Sequence, residues 1–258
     1  MTGAAPAAAT PAPHLSLVVP VYHGAAGLPS SLDQLRTFLR AQPFSSELIL
    51  VDDFSNAETR AILEAFAGEM PNEVRLLRNE VNRGKGFAVT RGMRAAVGSY
   101  RVFTDADLAY PASEVGKILA DLEKGADVAI ACRVLAESRY LMSPTFFSYL
   151  YTRHVMSRVF NAMVRWTLIP RVLDTQAGLK GFTARAAEIV FPRITIPGFG
   201  FDVEALFIAK KHGLSLAQTA VYFRYDEEPT TVRFAEDALT MMRDLVRIRR
   251  NDMRGRYA

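Results

Sequence analysis

Tyr100-Arg101-Val102-Phe103-Thr104-Asp105-Ala106-Asp107-Leu108 is the stretch from which the rest of this chain can be read. A strand-like run ends in two carboxylates, Asp105 and Asp107, one residue apart. A hard divalent cation takes oxygen ligands and shares its coordination with phosphates more often than it fills a protein cage. Two acids at the carboxyl end of a buried strand have the chemistry to hold such an ion against a diphosphate. An Asp-x-Asp turn also forms for backbone reasons alone, because Asp side chains hydrogen-bond within their own turns. The motif does not choose between these two readings; its surroundings do.

Working outward, Leu15 to Pro20 is a short apolar strand ended by proline, and Leu28, Leu32, Leu35 and Leu39 recur at helical spacing. Glu47–Asp52 reads as a second strand, with a helix marked by Ile62, Leu63 and Phe66 after it. Val74–Leu77 is a third strand, Lys85–Ala96 a helix ending near Gly98, and Arg101–Thr104 a fourth strand. Val115, Leu119 and Leu122 mark a further helix before a fifth strand at Val128–Ala131. Strands rich in Val, Ile and Leu that alternate with helices predict an α/β fold, a mostly parallel central sheet flanked by helices. Ligands of such sheets bind beyond the carboxyl ends of the strands. The loops carrying Tyr22, His23 and Gly24, then Asp52 and Asp53, then Asp105 and Asp107, should share one rim.

The chain has 258 residues, half of them hydrophobic, enough for one large domain with appendages. Its single cysteine, Cys132, excludes a disulfide framework and fits a reducing compartment. Cys132 reads as a small buried residue rather than a nucleophile. Residues 1–14, rich in Ala, Pro and Thr, read as a disordered leader that includes His14. There is no Gly-x-Gly-x-x-Gly after the first strand, and Gly84-Lys85 is followed by Gly86 rather than Ser or Thr. A dinucleotide oxidoreductase and a P-loop enzyme are therefore disfavoured.

The net charge of +4 is confined to one place. From Thr240 to Ala258 there are six arginines against two aspartates, an excess equal to that of the whole chain. Arg243, Arg247, Arg250 and Arg254 form one helical stripe; Phe234, Ala238, Met241, Leu245 and Ile248 form another. Residues 231–258 therefore read as a basic amphipathic helix, suited to a membrane surface or to a solvated docked face. Residues 140–169 are crowded with apolar side chains, Trp166 among them, and carry a polar stripe of His154, Arg158, Asn161 and Arg165. Such a helix either docks on the core or meets a membrane or acceptor. No uninterrupted apolar run reaches the roughly 18–20 residues that span a bilayer. A nucleic-acid protein is disfavoured, since the basic excess sits on one terminal stripe.

Four segments occur in an order that resembles the family 2 glycosyltransferases, inverting enzymes with the GT-A fold. They are Val19-Pro20-Val21-Tyr22, Leu50-Val51-Asp52-Asp53-Phe54-Ser55, Asn82-Arg83-Gly84-Lys85-Gly86 and Asp105-Ala106-Asp107. Asp174–Thr183 and Gly200–Leu206 are similar to the branch that uses polyprenyl phosphates, glucosyltransferases more than mannose synthases. The resemblance implies a catalytic domain over residues 15–230. It implies that Asp52 or Asp53 contacts the base of a nucleotide sugar with the Pro20–Tyr22 loop, and that Arg83 and Lys85 lie near its phosphates. Asp105 and Asp107 would bind Mg²⁺ or Mn²⁺. Gln176 and Lys180 would line the sugar and phosphate pocket, and Arg133, with Arg153 or Arg158, would face the acceptor phosphate. Ala109 stands where some mannose synthases place a glutamine near the metal, which favours the glucosyltransferase side.

A lipid phosphate is already an anionic nucleophile and needs only orientation by cations such as Arg133. A sugar hydroxyl would need a carboxylate base, for which Asp202 and Glu204 are the candidates. The expected partners are a nucleotide sugar such as UDP-glucose or GDP-mannose, a polyprenyl-phosphate or saccharide acceptor, and a membrane surface. The expected location is cytoplasmic, peripheral on the inner face of the cell membrane. A homo-oligomer is left open by the sequence.

Overall fold

The structure, a computed structural model, describes residues 12–142, 160–225 and 234–258. The first half alternates as the sequence predicts. Strand β1 (Leu15–Val21) leads to helix α1 (Leu28–Arg40), β2 (Ser46–Asp52) to α2 (Ala57–Glu69), and β3 (Val74–Arg78) to α3 (Lys85–Ala95). Then β4 (Tyr100–Phe103) precedes α4 (Glu114–Glu123), and β5 (Val128–Cys132) precedes β6 (Arg139–Met142). After a helical stretch over 160–167, here α5, come β7 (Lys180–Thr183), α6 (Ala184–Val190) and α7 (Phe201–Lys211). Strands β8 (Leu216–Ala220) and β9 (Tyr222–Tyr225) and the long helix α8 (Phe234–Met253) complete the described chain.

Seven strands form one sheet in the order β3-β2-β1-β4-β7-β5-β8. The chain moves outward from β1 to β3 and then returns to β1's other side with β4, so a topological switch point lies between β1 and β4. All neighbours pair in parallel except β7, which runs antiparallel between β4 and β5. The sequence shows no separate signal for this inversion. It matters for position, because the register sets Lys180 opposite Phe103 and Ile130. The segment entering β7 therefore arrives at the rim where β4 and β5 end. Strands β6 and β9 form a separate parallel pair.

Both faces of the sheet are covered. Val18, Ile49, Val51, Phe103, Val128, Ile130 and Phe182 pack toward α3, α6 and α7. The alternate residues Leu17, Val19, Leu48, Leu50, Val102 and Ala129 pack toward α1, α2 and α4. Burial on two faces is why these strands read as continuous apolar runs rather than alternating ones. Leu28, Leu32, Leu35 and Leu39 are all buried, as their spacing predicts. Cys132 is buried too, and burial pushes its thiol up.

One sequence reading is corrected. His14 is packed rather than part of a leader: its ring lies 4.6 Å from Phe44 and 5.0 Å from Tyr100, and it meets Glu123 at 2.8 Å. The arginine stripe of α8 is exposed at Arg243, Arg247, Arg250 and Arg254, and Arg247 also donates to the Thr195 carbonyl at 2.8 Å. In the segment that carries Trp166, that side chain is 90% exposed, while Val164, Leu168 and Ile169 hold the segment to the body. Residues 143–159 lie outside the described part, and with them His154, Arg153 and Arg158.

Close packing of α3 on the sheet sets a stability test. A Cβ at Gly92 would meet Val18 Cγ1 at 2.3 Å, whereas one at Gly116 in α4 would meet nothing within 4 Å. Gly92→Ala should lose about 1–3 kcal/mol in urea unfolding through overpacking. Gly116→Ala should gain up to about 1 kcal/mol from helix propensity. Equal stability of the two variants would contradict the packing described.

Candidate active site

The rim is built first by carboxylates that organise backbone. Asp52, ending β2 and fully buried, accepts from Ser55 N at 2.8 Å and from Arg78 Nε at 3.1 Å. Asp53 accepts from Asn79 Nδ2 at 2.6 Å, Arg83 N at 3.0 Å and Gly84 N at 2.8 Å. It thus ties the loop before α3 to the end of β2. Both acids lie on the rim the topology predicts, and both are engaged within the protein. The surface beside them presents Tyr22 and Phe54, about half exposed. Phe54 holds a positive φ of 67°. Nothing local in the sequence marks this conformation. Pro20, next to the end of β1, pairs in register with Val51 of β2. His23 has a partner the sequence did not suggest, since Asn56 N donates to its Nδ1 at 3.3 Å.

Beyond β4, Asp107 Oδ1 accepts from Ala109 N at 3.0 Å and Leu108 takes φ 46°. Asp105 is met by Lys85 Nζ at 2.6 Å, from the first residue of α3. The two side chains stay partly open to solvent, at 28% and 22%. Burial pulls Lys85 down, but the carboxylates of Asp105, Asp202 and Asp107 outweigh it and raise its pKa, so the ammonium stays charged. The segment entering β7 lies close against this turn: a Cβ at Gly178 would stand 2.0 Å from Asp105 Oδ2. Arg83 folds back over the Phe87 ring at 4.8 Å.

Beneath the turn is a second ion pair. Lys180 Nζ donates to Asp202 Oδ1 and to the Ala177 carbonyl, each at 2.5 Å, and lies 5.6 Å from the Phe103 ring centre. Burial pushes Asp202 up and Lys180 down, against their mutual attraction. Lys180 has no exposed surface, so it supports the pocket from below instead of lining it. Asp202, a candidate base, is likewise buried and committed to this lysine. Glu204, the other candidate, accepts from Thr195 N, Thr195 Oγ1, Ile196 N and the Tyr257 hydroxyl. Its geometry is that of a structural anchor.

On the far side, Arg133 follows β5. Its Nε and a terminal nitrogen reach the two oxygens of Asp174 at 2.7 and 2.9 Å, and its backbone N–H adds a third bond at 3.1 Å. The guanidinium also lies 5.5 Å from the Phe223 ring centre. Gln176 reaches α8, donating to Met241 Sδ at 3.6 Å. Asn161 accepts from Thr175 N and Oγ1 at 3.0 and 2.6 Å, so the segment 174–176 is held from both ends. The structure thus gathers Asp105, Asp107, Lys85, Gln176 and Arg133 around one rim, with Lys180 and Asp202 under it.

Burial pushes the Asp174 carboxyl up, but the Arg133 guanidinium and its hydrogen bonds outweigh this and hold it below the ordinary carboxylate range. A depressed folded pKa adds stability that is present above the unfolded value of about 3.9 and lost as pH falls through the folded one. Urea midpoints from pH 7 to pH 3 should therefore fall in the acid limb. Asp174→Asn should flatten that limb while lowering stability at pH 7. An acid limb unchanged by the substitution would exclude this pair as a contributor.

Residues 16–164 match the family described as Glycosyl transferase family 2. A dolichyl-phosphate beta-glucosyltransferase of Dictyostelium discoideum is 32% identical, over 92% of this chain and 74% of the relative. The human dolichyl-phosphate beta-glucosyltransferase is 31% identical, over 96% of this chain and 78% of its own. Among solved structures, glucosyl-3-phosphoglycerate synthase from Mycobacterium tuberculosis in complex with UDP superposes with a TM-score of 0.66. It shares 20% identity over 92% of this chain and 80% of that one, which establishes likeness of fold. The same synthase in complex with Mn²⁺ and UDP-glucose gives a TM-score of 0.65 at 19% identity. With a family match over more than half its length, and relatives above 30% identity along most of it, this chain belongs to glycosyltransferase family 2 and is a glycosyltransferase of the GT-A fold.

Proposed function

We propose that the protein transfers glucose from UDP-glucose to a polyprenyl phosphate of the dolichyl type, with inversion at the anomeric carbon. The observation that carries this reading is the Asp105–Asp107 turn with Lys85 against it, in a chain whose relatives above 30% identity include dolichyl-phosphate beta-glucosyltransferases. The donor diphosphate would lie along Lys85 and Arg83, and the nucleoside against the loops of Pro20, Tyr22, Asp52 and Asp53.

Mg²⁺ or Mn²⁺ fits the turn. Its donors are two hard carboxylates, and the ammonium of Lys85 against Asp105 supports a turn suited to positive charge. Among the described residues no group of three His, Cys, Asp or Glu could hold a metal by itself. Remaining ligands would come from the diphosphate and water, the usual arrangement for such ions. When bound, the ion neutralises charge on the leaving diphosphate. Lys85 and Arg83 add fixed positive charge at the same place.

The acceptor follows from what the buried acids do. Asp202 is held by Lys180, and Glu204 is saturated with hydrogen bonds. Neither geometry suits a base that must take a proton from a sugar hydroxyl. A phosphate acceptor needs none, only orientation by Arg133. This favours lipid phosphate over a saccharide hydroxyl.

Among the described residues no helix is long and apolar enough to cross a membrane. Helix α8 instead turns Met242, Val246 and Met253 outward, the last 81% exposed, between Arg249 on one side and Arg243, Arg250 and Arg254 on the other. An apolar ridge flanked by arginines suits an anionic lipid surface, so the enzyme would work peripherally on the inner face of the membrane.

Two experiments test this. Asp105→Asn and Asp107→Asn should each lower glucose transfer from UDP-glucose to polyprenyl phosphate about 100-fold or more, with the fold intact by circular dichroism. Activity near that of the parent, or stabilisation by GDP-mannose but not UDP-glucose in thermal shift, would reject the donor assignment. Val246→Glu combined with Met253→Glu should lower sedimentation with anionic vesicles at least about tenfold. Undiminished sedimentation would reject the α8 ridge as the contact.

A further inference from the structure

Glu204 has no exposed surface, yet its carboxylate takes four hydrogen bonds. Thr195 N and Ile196 N donate at 2.9 and 2.8 Å, Thr195 Oγ1 at 2.6 Å, and the hydroxyl of Tyr257 at 2.5 Å. Tyr257 comes from the turn after α8 and is itself fully buried. Its ring lies 5.9 Å from that of Phe207, and its carbonyl meets His212 Nε2 at 2.8 Å. Asn251 Nδ2 links the two ends of the network, reaching Thr195 Oγ1 at 2.9 Å and the Tyr257 hydroxyl at 3.2 Å.

The loop so held, Thr195–Gly198, rests directly on the start of α3. Phe87 N donates to the Pro197 carbonyl at 3.0 Å. A Cβ at Gly84 would come within 2.7 Å of Pro197 O, and one at Gly86 within 2.7 Å of Ile196 O and of Gly198 O. The two backbones thus touch with no side chain between them, so a shift of the loop moves the turn. Lys85 stands between those glycines and points its ammonium at Asp105, 2.6 Å away.

We propose that Tyr257 is a positioning residue for the donor side of the site. It acts through Glu204 and the Thr195–Gly198 loop to set the Gly84–Gly86 turn that aims Lys85 at Asp105. The term "donor side" rests on the function proposed above; the mechanical link does not. Tyr257 touches no reacting atom. Its ring fills space that phenylalanine would fill equally, and what is particular to tyrosine is the hydroxyl on Glu204.

The test is Tyr257→Phe in the full chain, read by amide hydrogen exchange. Exchange should speed about tenfold, the ratio that about 1.4 kcal/mol represents, at residues 195–198 and 84–88. It should stay unchanged in β1, β2 and β4. No change at those two segments, or an equal rise throughout the sheet, would overturn the proposal, since a general loss of stability speeds all segments together. A second reading uses UDP with Mn²⁺ in calorimetry. Tyr257→Phe should weaken binding several-fold, Lys85→Met more so, and the double variant no more than Lys85→Met alone. Additive losses would overturn the coupling. Absence of UDP binding by the parent protein, alongside the expected exchange pattern, would remove the donor assignment and leave the link between Tyr257 and the Lys85 turn standing.

Discussion

Lys180 carries an ammonium to a position with no contact with solvent, and much of the site is arranged around that fact. A charge taken out of water costs several kcal/mol unless it is paired and hydrogen-bonded. Asp202 and the Ala177 carbonyl meet the requirement at 2.5 Å each. The first fixes the start of α7 against β7. The second fixes the segment entering β7, and so brings Gly178 against Asp105. Because α7 begins at Phe201, whose Cβ lies where a Gly86 side chain would be, the start of α3 is also set by the same pair. Removal of either partner leaves an uncompensated charge under the Asp105 turn.

How much of this was legible in the sequence depends on the separation of the partners. The five strands of the first half and their helices could be read, because burial on two faces writes itself into local composition. The rim could be read as well: parallel topology alone brings Asp52, Asp53, Asp105 and Asp107 together. Strand β7 left little trace, since Lys-Gly-Phe-Thr has neither length nor alternation, and its antiparallel direction is a property of the whole sheet. The pairs that define the site's interior were not legible in kind. Arg133 and Asp174 lie 41 residues apart, and Tyr257 and Glu204 lie 53 apart, with no local spacing to announce them. Glu204 therefore reads from the sequence, with Asp202, as a candidate base rather than as the anchor it is. His14 shows the same limit at the other end, where a composition typical of disorder runs straight into a packed ring.

Three cations of the site are each matched by a carboxylate from another element: Lys85 by Asp105, Lys180 by Asp202, Arg133 by Asp174. They differ in how readily they can exchange partners. The Lys180–Asp202 pair is sealed, so an incoming anion cannot reach it without dismantling the floor. Asp174 is buried under a bidentate Arg133, and that arginine can present only those edges of its guanidinium not turned to Asp174. Lys85 and Asp105 are the pair with solvent on both members, where an ion pair contributes little net stability because water competes for both partners. Replacing that contact by new charges therefore costs the fold least. The same physical ordering that makes two of the pairs structural leaves the third as the place where a ligand's charges can enter, and it lies at the carboxyl end of β4 beside the switch point, where the topology opens the sheet.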